Sequence, residues 1–315
     1  MASTVQSAQA DVLSQIFQGL KNQSHEVRLE SSVNLRRYVA TTVAEMTPDA
    51  AAKTWDDNIN RRLFDLMHSQ NTTENFGGLL AIDHLLEITS GETIEAKRNI
   101  FRFYNYVKHL LPNSDFNLML VASKTLGQIA HIGGSAFGGQ FLDYEVPAAI
   151  ELMQPEKQES LRYAGVLILK EFARNSPGYF HSHISLVFEN IVIVLRDQSV
   201  IVREGAAELL AACLEIVVQQ ERQSRNTYLN GILTEAQAGL RMPQPEIIHG
   251  SLLTYRELLL HAGMFMKETF MDAETILRFR THRDSLLREQ VVAMMPSLAA
   301  YDTQTFKDNN TDGKG

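Results

Sequence analysis

The sequence predicts an all-α solenoid of about seven stacked helix hairpins, on three observations. Apolar residues recur at helical steps almost everywhere, the breaks between helices are short, and one helix of each pair repeats a common template at a steady period.

Val12, Ile16 and Leu20, or Leu161, Val166, Leu169 and Phe172, follow three- to five-residue steps, which put one face of a helix in a core. Two-residue alternation is scarce. Thr47-Pro48 and Ser176-Pro177 set a capping residue before a proline in a helical first turn, where the missing N–H costs nothing. Pro112-Asn113-Ser114 and Pro243-Gln244-Pro245 break helices as well, because proline disfavours α conformation in the residue before it.

The second helix of each pair carries the template. Written from an apolar start, the copies are VRLESSVNLRRYV from Val27, NFGGLLAIDHLLE from Asn75, LMLVASKTLGQIA from Leu118, LRYAGVLILKEFA from Leu161, VREGAAELLAACL from Val202, IIHGSLLTYRELL from Ile247 and LREQVVAMMPSLA from Leu287. Small residues cluster a few places in, such as Gly77 and Gly78, Ala164 and Gly165, or Gly250 and Ser251, and let helix backbones approach closely. Successive starts are 48, 43, 43, 41, 45 and 40 residues apart. HEAT and armadillo units run to roughly 40–47 residues, so the repeats are of HEAT type. One repeat domain is expected over 1–306, with repeats near 8–46, 48–89, 92–132, 135–175, 176–221, 225–262 and 264–300, followed by a polar, disordered or truncated tail over 307–315. Arg28, Arg162, Arg203 and Arg288 follow the apolar start in four copies. In HEAT arrays such an arginine reaches an acidic or polar residue of the turn between the two helices. Asp197 and Asp284 occupy that turn and complete the expected structural ladder.

Composition narrows the function. The 315 residues are 44% hydrophobic and 21% charged, as in an ordinary folded chain. A formal charge of −8 leaves no basic excess to displace counterions, which argues against nucleic acid as a partner. Cys213 is the sole cysteine, so disulfides within the chain and cysteine-rich zinc sites are excluded. The N-terminus is polar, and no apolar stretch is read as approaching the roughly 18 residues a membrane span requires, so a cytoplasmic chain without membrane insertion is expected.

Ordered blocks go beyond the repeat class. FGGLLAIDHLLEI (Phe76 to Ile88), FYNYVKHLLPNSD (Phe103 to Asp115), VASKTLGQIA (Val121 to Ala130), VREGAAELLAACL (Val202 to Leu214) and HRDSLLREQVVAMMPSLAAYD (His282 to Asp302) resemble the N-terminal HEAT region of target of rapamycin (TOR) serine/threonine protein kinases, in a fungal version. The resemblance runs from about Val12 to Phe306. It implies a right-handed superhelix and a parent with a longer solenoid, a FAT region, a rapamycin-binding segment and a C-terminal kinase domain, none of which lies in this chain. It also implies partners: a Raptor-type adaptor, a second TOR protomer and, in some members, a small GTPase, with the complex held at vacuolar or lysosomal membranes. An independent HEAT adaptor, of phosphatase-scaffold or transport-receptor type, is the alternative.

No catalytic, metal or cofactor residue is assigned. His282-Arg283-Asp284 matches a kinase catalytic-loop tripeptide, but Glu289 stands where the Mg²⁺-binding asparagine belongs, and no DFG or glycine-rich loop accompanies it. The glycine run from Gly133 to Gly139 is followed by Gln140 and Phe141 in place of a phosphate-loop lysine and hydroxyl, and reads as an inter-repeat loop. Phe101 and Tyr106 are the candidate partner contacts. They flank the apolar face of a helix over 100–111, where aromatic residues favour protein binding. The competing reading packs both on adjacent repeats. Leu286, Val291, Met295 and Leu298 are expected to form an uncovered apolar face on the last helix.

Overall fold

The computed structural model describes residues 2–89, 93–220 and 222–301, with side chains from residue 11 onward. The tail over 307–315 lies outside the described residues, which form helices and turns with no strand among them. Contacts divide the chain into two compact units, 1–137 and 138–315.

The first unit holds three hairpins. α1 (Ala2–Leu20) packs on α2 (His25–Tyr38), α4 (Arg61–Met67) on α5 (Thr72–Leu86) after the short α3 (Pro48–Lys53), and α6 (Ile94–His109) on α7 (Phe116–Gly133). The template helices α2, α5 and α7 pack on one another in order. Their apolar stripes bury Leu35, Leu79, Ile82, Leu85, Leu118 and Leu126 completely. Two π-helical turns lie among the described residues of this unit, Val39–Val43 after α2 and Thr54–Asn60 between α3 and α4.

The second unit holds four hairpins on the same plan. α8 (Gly139–Leu152) packs on α9 (Glu159–Asn175), and α10 (Pro177–Phe180) with α11 (Ile184–Leu195) precedes α12 (Val200–Val218). α13 (Arg222–Gly239) packs on α14 (Pro245–His261), and α15 (Gly263–Thr269) with α16 (Ala273–Leu277) leads to α17 (Ser285–Tyr301). Here α9, α12, α14 and α17 form the continuous layer.

The small residues of the template act as the sequence indicated. A methyl group added at Gly77 would overlap the carbonyl oxygen of Leu20, and one at Gly250 would overlap that of Leu195. At these two places α5 and α14 therefore meet the end of a helix in the preceding repeat through bare backbone. Three details differ from expectation. Thr47 and Ser176 precede their prolines, but neither side chain caps its helix; Asn71, Thr93 and Asp115 accept capping bonds from backbone N–H groups instead. Pro177–Leu195 is long and apolar enough by composition to cross a membrane, contrary to the expectation of no such stretch. It is broken by a tight turn at His181–His183, and Phe180, Ile184, Val187 and Ile191 are fully buried in the unit. On α17, Val291 and Leu298 are core residues, Leu286 and Met295 are half-buried, and Val292 is exposed at 57%. The 3.6-residue repeat turns these neighbours about 100° apart, so a shift of one position exchanges inside for outside.

Candidate interaction site

The ladder arginines bond mainly to backbone. Arg28 Nη1 donates to the carbonyls of Asn22 and Gln23, each at 2.8 Å. Arg203 Nη1 donates to Asp197 and Gln198 at 2.6 and 2.9 Å, and Arg288 Nη1 to His282 and Arg283 at 2.8 and 2.9 Å. In all three the acceptors lie six and five residues back, where the preceding helix has ended and its turn leaves carbonyls without helical partners. Arg162 reaches the Lys157 carbonyl at 2.5 Å and grips both oxygens of Asp197, in the next repeat, at 2.5 and 3.0 Å. A planar guanidinium with five donors suits this double duty. Asp284 takes a different part, accepting from the Leu286 N–H at 2.9 Å at the start of α17. The kinase-like tripeptide His282-Arg283-Asp284 is thus a helix-capping turn. In the second repeat, which lacks the arginine, buried Asn75 donates to the carbonyls of Leu66 and Ser69 at 2.9 and 3.0 Å.

His249 completes the most buried of these sites. Arg203 is 3% exposed, and its Nε donates to His249 Nδ1 at 3.1 Å. Burial lowers the His249 pKa from 6.5 to about 4, with Arg203 and Arg256 adding to the effect and Asp284 opposing it. The unfolded chain takes up this proton near 6.5, whereas the folded chain resists it to about 4. Stability is therefore lost as pH falls across that window, by about 3 kcal/mol in total. Chemical denaturation of the wild type and a His249→Asn variant from pH 7 to pH 4 checks this: the wild type should show the steeper loss.

The two aromatic candidates fare differently. The Phe101 ring, 37% exposed, stacks on Phe137 at 4.8 Å, and the turn after α7 delivers Phe137 into the core, fully buried. Tyr106 joins an outward-facing cluster built from the ends of α4 and α6. Phe64 stacks on His68 at 3.8 Å, His68 stacks on His109 at 4.2 Å, and Tyr106 meets Phe64 edge-on at 5.7 Å. Phe64 remains 45% exposed. Burial and the neighbouring His68 lower the His109 pKa, and burial raises that of Tyr106, which favours the uncharged rings. Four rings held by one another form a rigid surface that loses little entropy on docking. The sequence reading missed Phe64, His68 and His109. Their signal was present: Phe64 to Tyr106 is 42 residues and His68 to His109 is 41, the repeat period on the first helices.

No protein-family model matches the sequence. Among curated proteins, the chain is 36% identical to serine/threonine-protein kinase tor1 of Schizosaccharomyces pombe over 94% of its length. It is 32% identical to the TOR kinase of Arabidopsis thaliana over 87%, and 27% identical to TOR2 of Saccharomyces cerevisiae over 95%. The chain spans only 11–12% of the length of these relatives. Among solved structures, yeast importin-β (Kap95p) superimposes over 98% of this chain and 36% of its own, with TM-score 0.59 and 14% identity. A Kap95p complex with RanGDP covers 93% and 36% with TM-score 0.64, also at 14% identity. These two show the fold alone, an all-α HEAT-type solenoid. The stretch shared with the kinases lies outside their kinase domain. Over nearly its whole length this chain is a homologue of the TOR serine/threonine protein kinases, and it corresponds to an N-terminal HEAT-repeat segment of that family.

Proposed function

We propose that the chain is a non-catalytic scaffold segment that supports assembly and dimerisation of a TOR complex, binding a Raptor-type adaptor and a small GTPase in nutrient-responsive growth signalling. The observation that carries the reading is the match to TOR kinases along a stretch without their catalytic domain. In this reading the chain works in the cytoplasm and is held at the vacuolar or lysosomal surface only through the complex. The cluster of Phe64, His68, Tyr106 and His109 is the contact we assign to the adaptor, because exposed, mutually braced aromatic rings are typical anchors of protein interfaces. An independent transport-receptor-type adaptor draws on likeness of fold alone, at 14% identity.

The test replaces Phe64 and Tyr106 together with alanine and measures binding of the purified chain to the Raptor-type adaptor of the same organism by calorimetry. Binding should weaken by about tenfold or more, while the melting temperature stays within about 3 °C of wild type. Unchanged affinity, or a large fall in melting temperature, contradicts this assignment. Phe101→Ala should instead lower stability and leave affinity unchanged, since its ring rests on Phe137.

A further inference from the structure

Thr47-Pro48 and Ser176-Pro177 are the only places in the sequence where a hydroxyl residue precedes proline. Neither hydroxyl caps the helix that follows, so capping explains neither pair. Their surroundings differ. Thr47 sits in the turn between the π-helical segment after α2 and the start of α3. Its side chain is exposed, as are those of Glu45, Pro48, Asp49 and Ala50. Its backbone is extended, with φ −61° and ψ 152°, the conformation a following proline favours.

The helix that follows Thr47 is weakly held. α3 buries none of its residues, and an element with few buried contacts opens locally at little cost. Met46 opposes this, being half-buried with its sulfur accepting from the Thr54 hydroxyl at 3.5 Å, but a thioether is a weak acceptor. Ser176 is the reverse case. It is 7% exposed, its N–H donates to the Phe172 carbonyl at 2.9 Å, and its own carbonyl accepts from Tyr179 and Phe180 at 3.1 and 2.9 Å. Phe180 is fully buried, so presenting the serine to an enzyme means withdrawing a core ring.

We propose that Thr47 is a phosphorylation site for a proline-directed serine/threonine kinase, whereas Ser176, in the same dipeptide, is shielded by the fold. Such a kinase takes its acceptor as a short extended segment and reads the proline directly after the hydroxyl. In the reaction the Thr47 hydroxyl oxygen bonds to the γ-phosphorus of Mg²⁺-bound ATP, and the bond from that phosphorus to the β,γ-bridging oxygen breaks. ADP leaves, and the hydroxyl proton passes to the catalytic aspartate of the kinase. The product carries about −1.5 to −2 charges on a turn that already holds Glu45 and Asp49. All three groups face solvent, where like charges are screened, and the Thr47 hydroxyl takes no part in capping α3, so the fold tolerates the phosphate.

The experiment incubates the whole folded chain with a purified, active kinase of the mitogen-activated type and Mg²⁺-ATP, and maps phosphate by intact mass and peptide fragmentation. Thr47 should be labelled about tenfold or more faster than Ser176. Synthetic peptides over 42–53 and 171–182, which lack the fold, should both be labelled at their Thr-Pro or Ser-Pro pair. Thr47→Ser should keep the label, Thr47→Ala should abolish it at this position, and Pro48→Ala should remove most of it. The phosphorylated chain should melt within about 3 °C of the unmodified one. Phe64→Ala with Tyr106→Ala should be phosphorylated at the wild-type rate, which keeps this site separate from the adaptor assignment. No phosphate on Thr47 of the folded chain, equal labelling of Ser176, or full labelling of Pro48→Ala overturns the proposal. So does a large fall in melting temperature on phosphorylation, or failure of the 171–182 peptide, which would mean that sequence and not burial makes the choice.

Discussion

Replacing Arg203 with alanine should destabilise the chain by about 3–5 kcal/mol, more than the same change at any other ladder position. Its guanidinium satisfies the Asp197 and Gln198 carbonyls and His249 Nδ1 at a site only 3% exposed. Truncation leaves two buried acceptors, the Asp197 carbonyl and His249 Nδ1, and the partly buried Gln198 carbonyl unpaired, and each buried one carries a desolvation penalty of about 1–3 kcal/mol, partly relieved if water enters. Arg288 makes the same pair of turn bonds in a less buried setting, so Arg288→Ala should lose about 1–2 kcal/mol. Urea unfolding of both variants measures the difference. Similar losses at the two sites would show that burial does not set the strength of the ladder.

Gly77→Ala and Gly250→Ala should each destabilise by about 2–3 kcal/mol, against the usual direction for glycine in a helix. Alanine is normally the better helix former by about 1 kcal/mol. At these two positions the new methyl group would overlap a backbone carbonyl, of Leu20 or of Leu195, which cannot swing aside as a side chain could. The helices must separate instead. Gly231, inside α13, is the internal control: nothing lies within 4 Å of the space a methyl would fill, so Gly231→Ala should stabilise by about 0.5–1 kcal/mol. Opposite signs at these sites, read by thermal unfolding, are the expected result; stabilisation at all three would mean that the small residues of the template do not set the helix spacing.

The solenoid was legible because its causes repeat. Leu126, Leu169 and Leu210 fall at matching places in successive templates, and all are fully buried. The first helices were less readable. α3 and α4 are joined by a π-turn, and α10 and α11 by a tight turn at His181–His183, and neither feature leaves a mark in apolar periodicity. The ladder shows a different limit. Sequence located Arg28, Arg203 and Arg288 through their shared place, yet the partners common to all three are backbone carbonyls, which every residue carries and no composition reveals. Arg162, which grips a side chain, is the member for which sequence could point to an acceptor. On the surface, Phe101 and Tyr106 looked alike from their helix alone. Phe101 lays one face on Phe137 from the next turn and stays 37% exposed, and Phe64 from the preceding repeat draws half-buried Tyr106 into an exposed cluster.

The scaffold reading is tested most directly by competition for a partner. The purified chain is added in increasing amounts to a TOR complex from the same organism, and the adaptor retained on the immobilised full-length kinase is measured. The account predicts that the chain releases the Raptor-type adaptor in a saturable manner, that about tenfold excess over its dissociation constant releases most of it, and that the Phe64→Ala, Tyr106→Ala form fails to do so. Full retention of the adaptor at saturating amounts of a folded chain would contradict it.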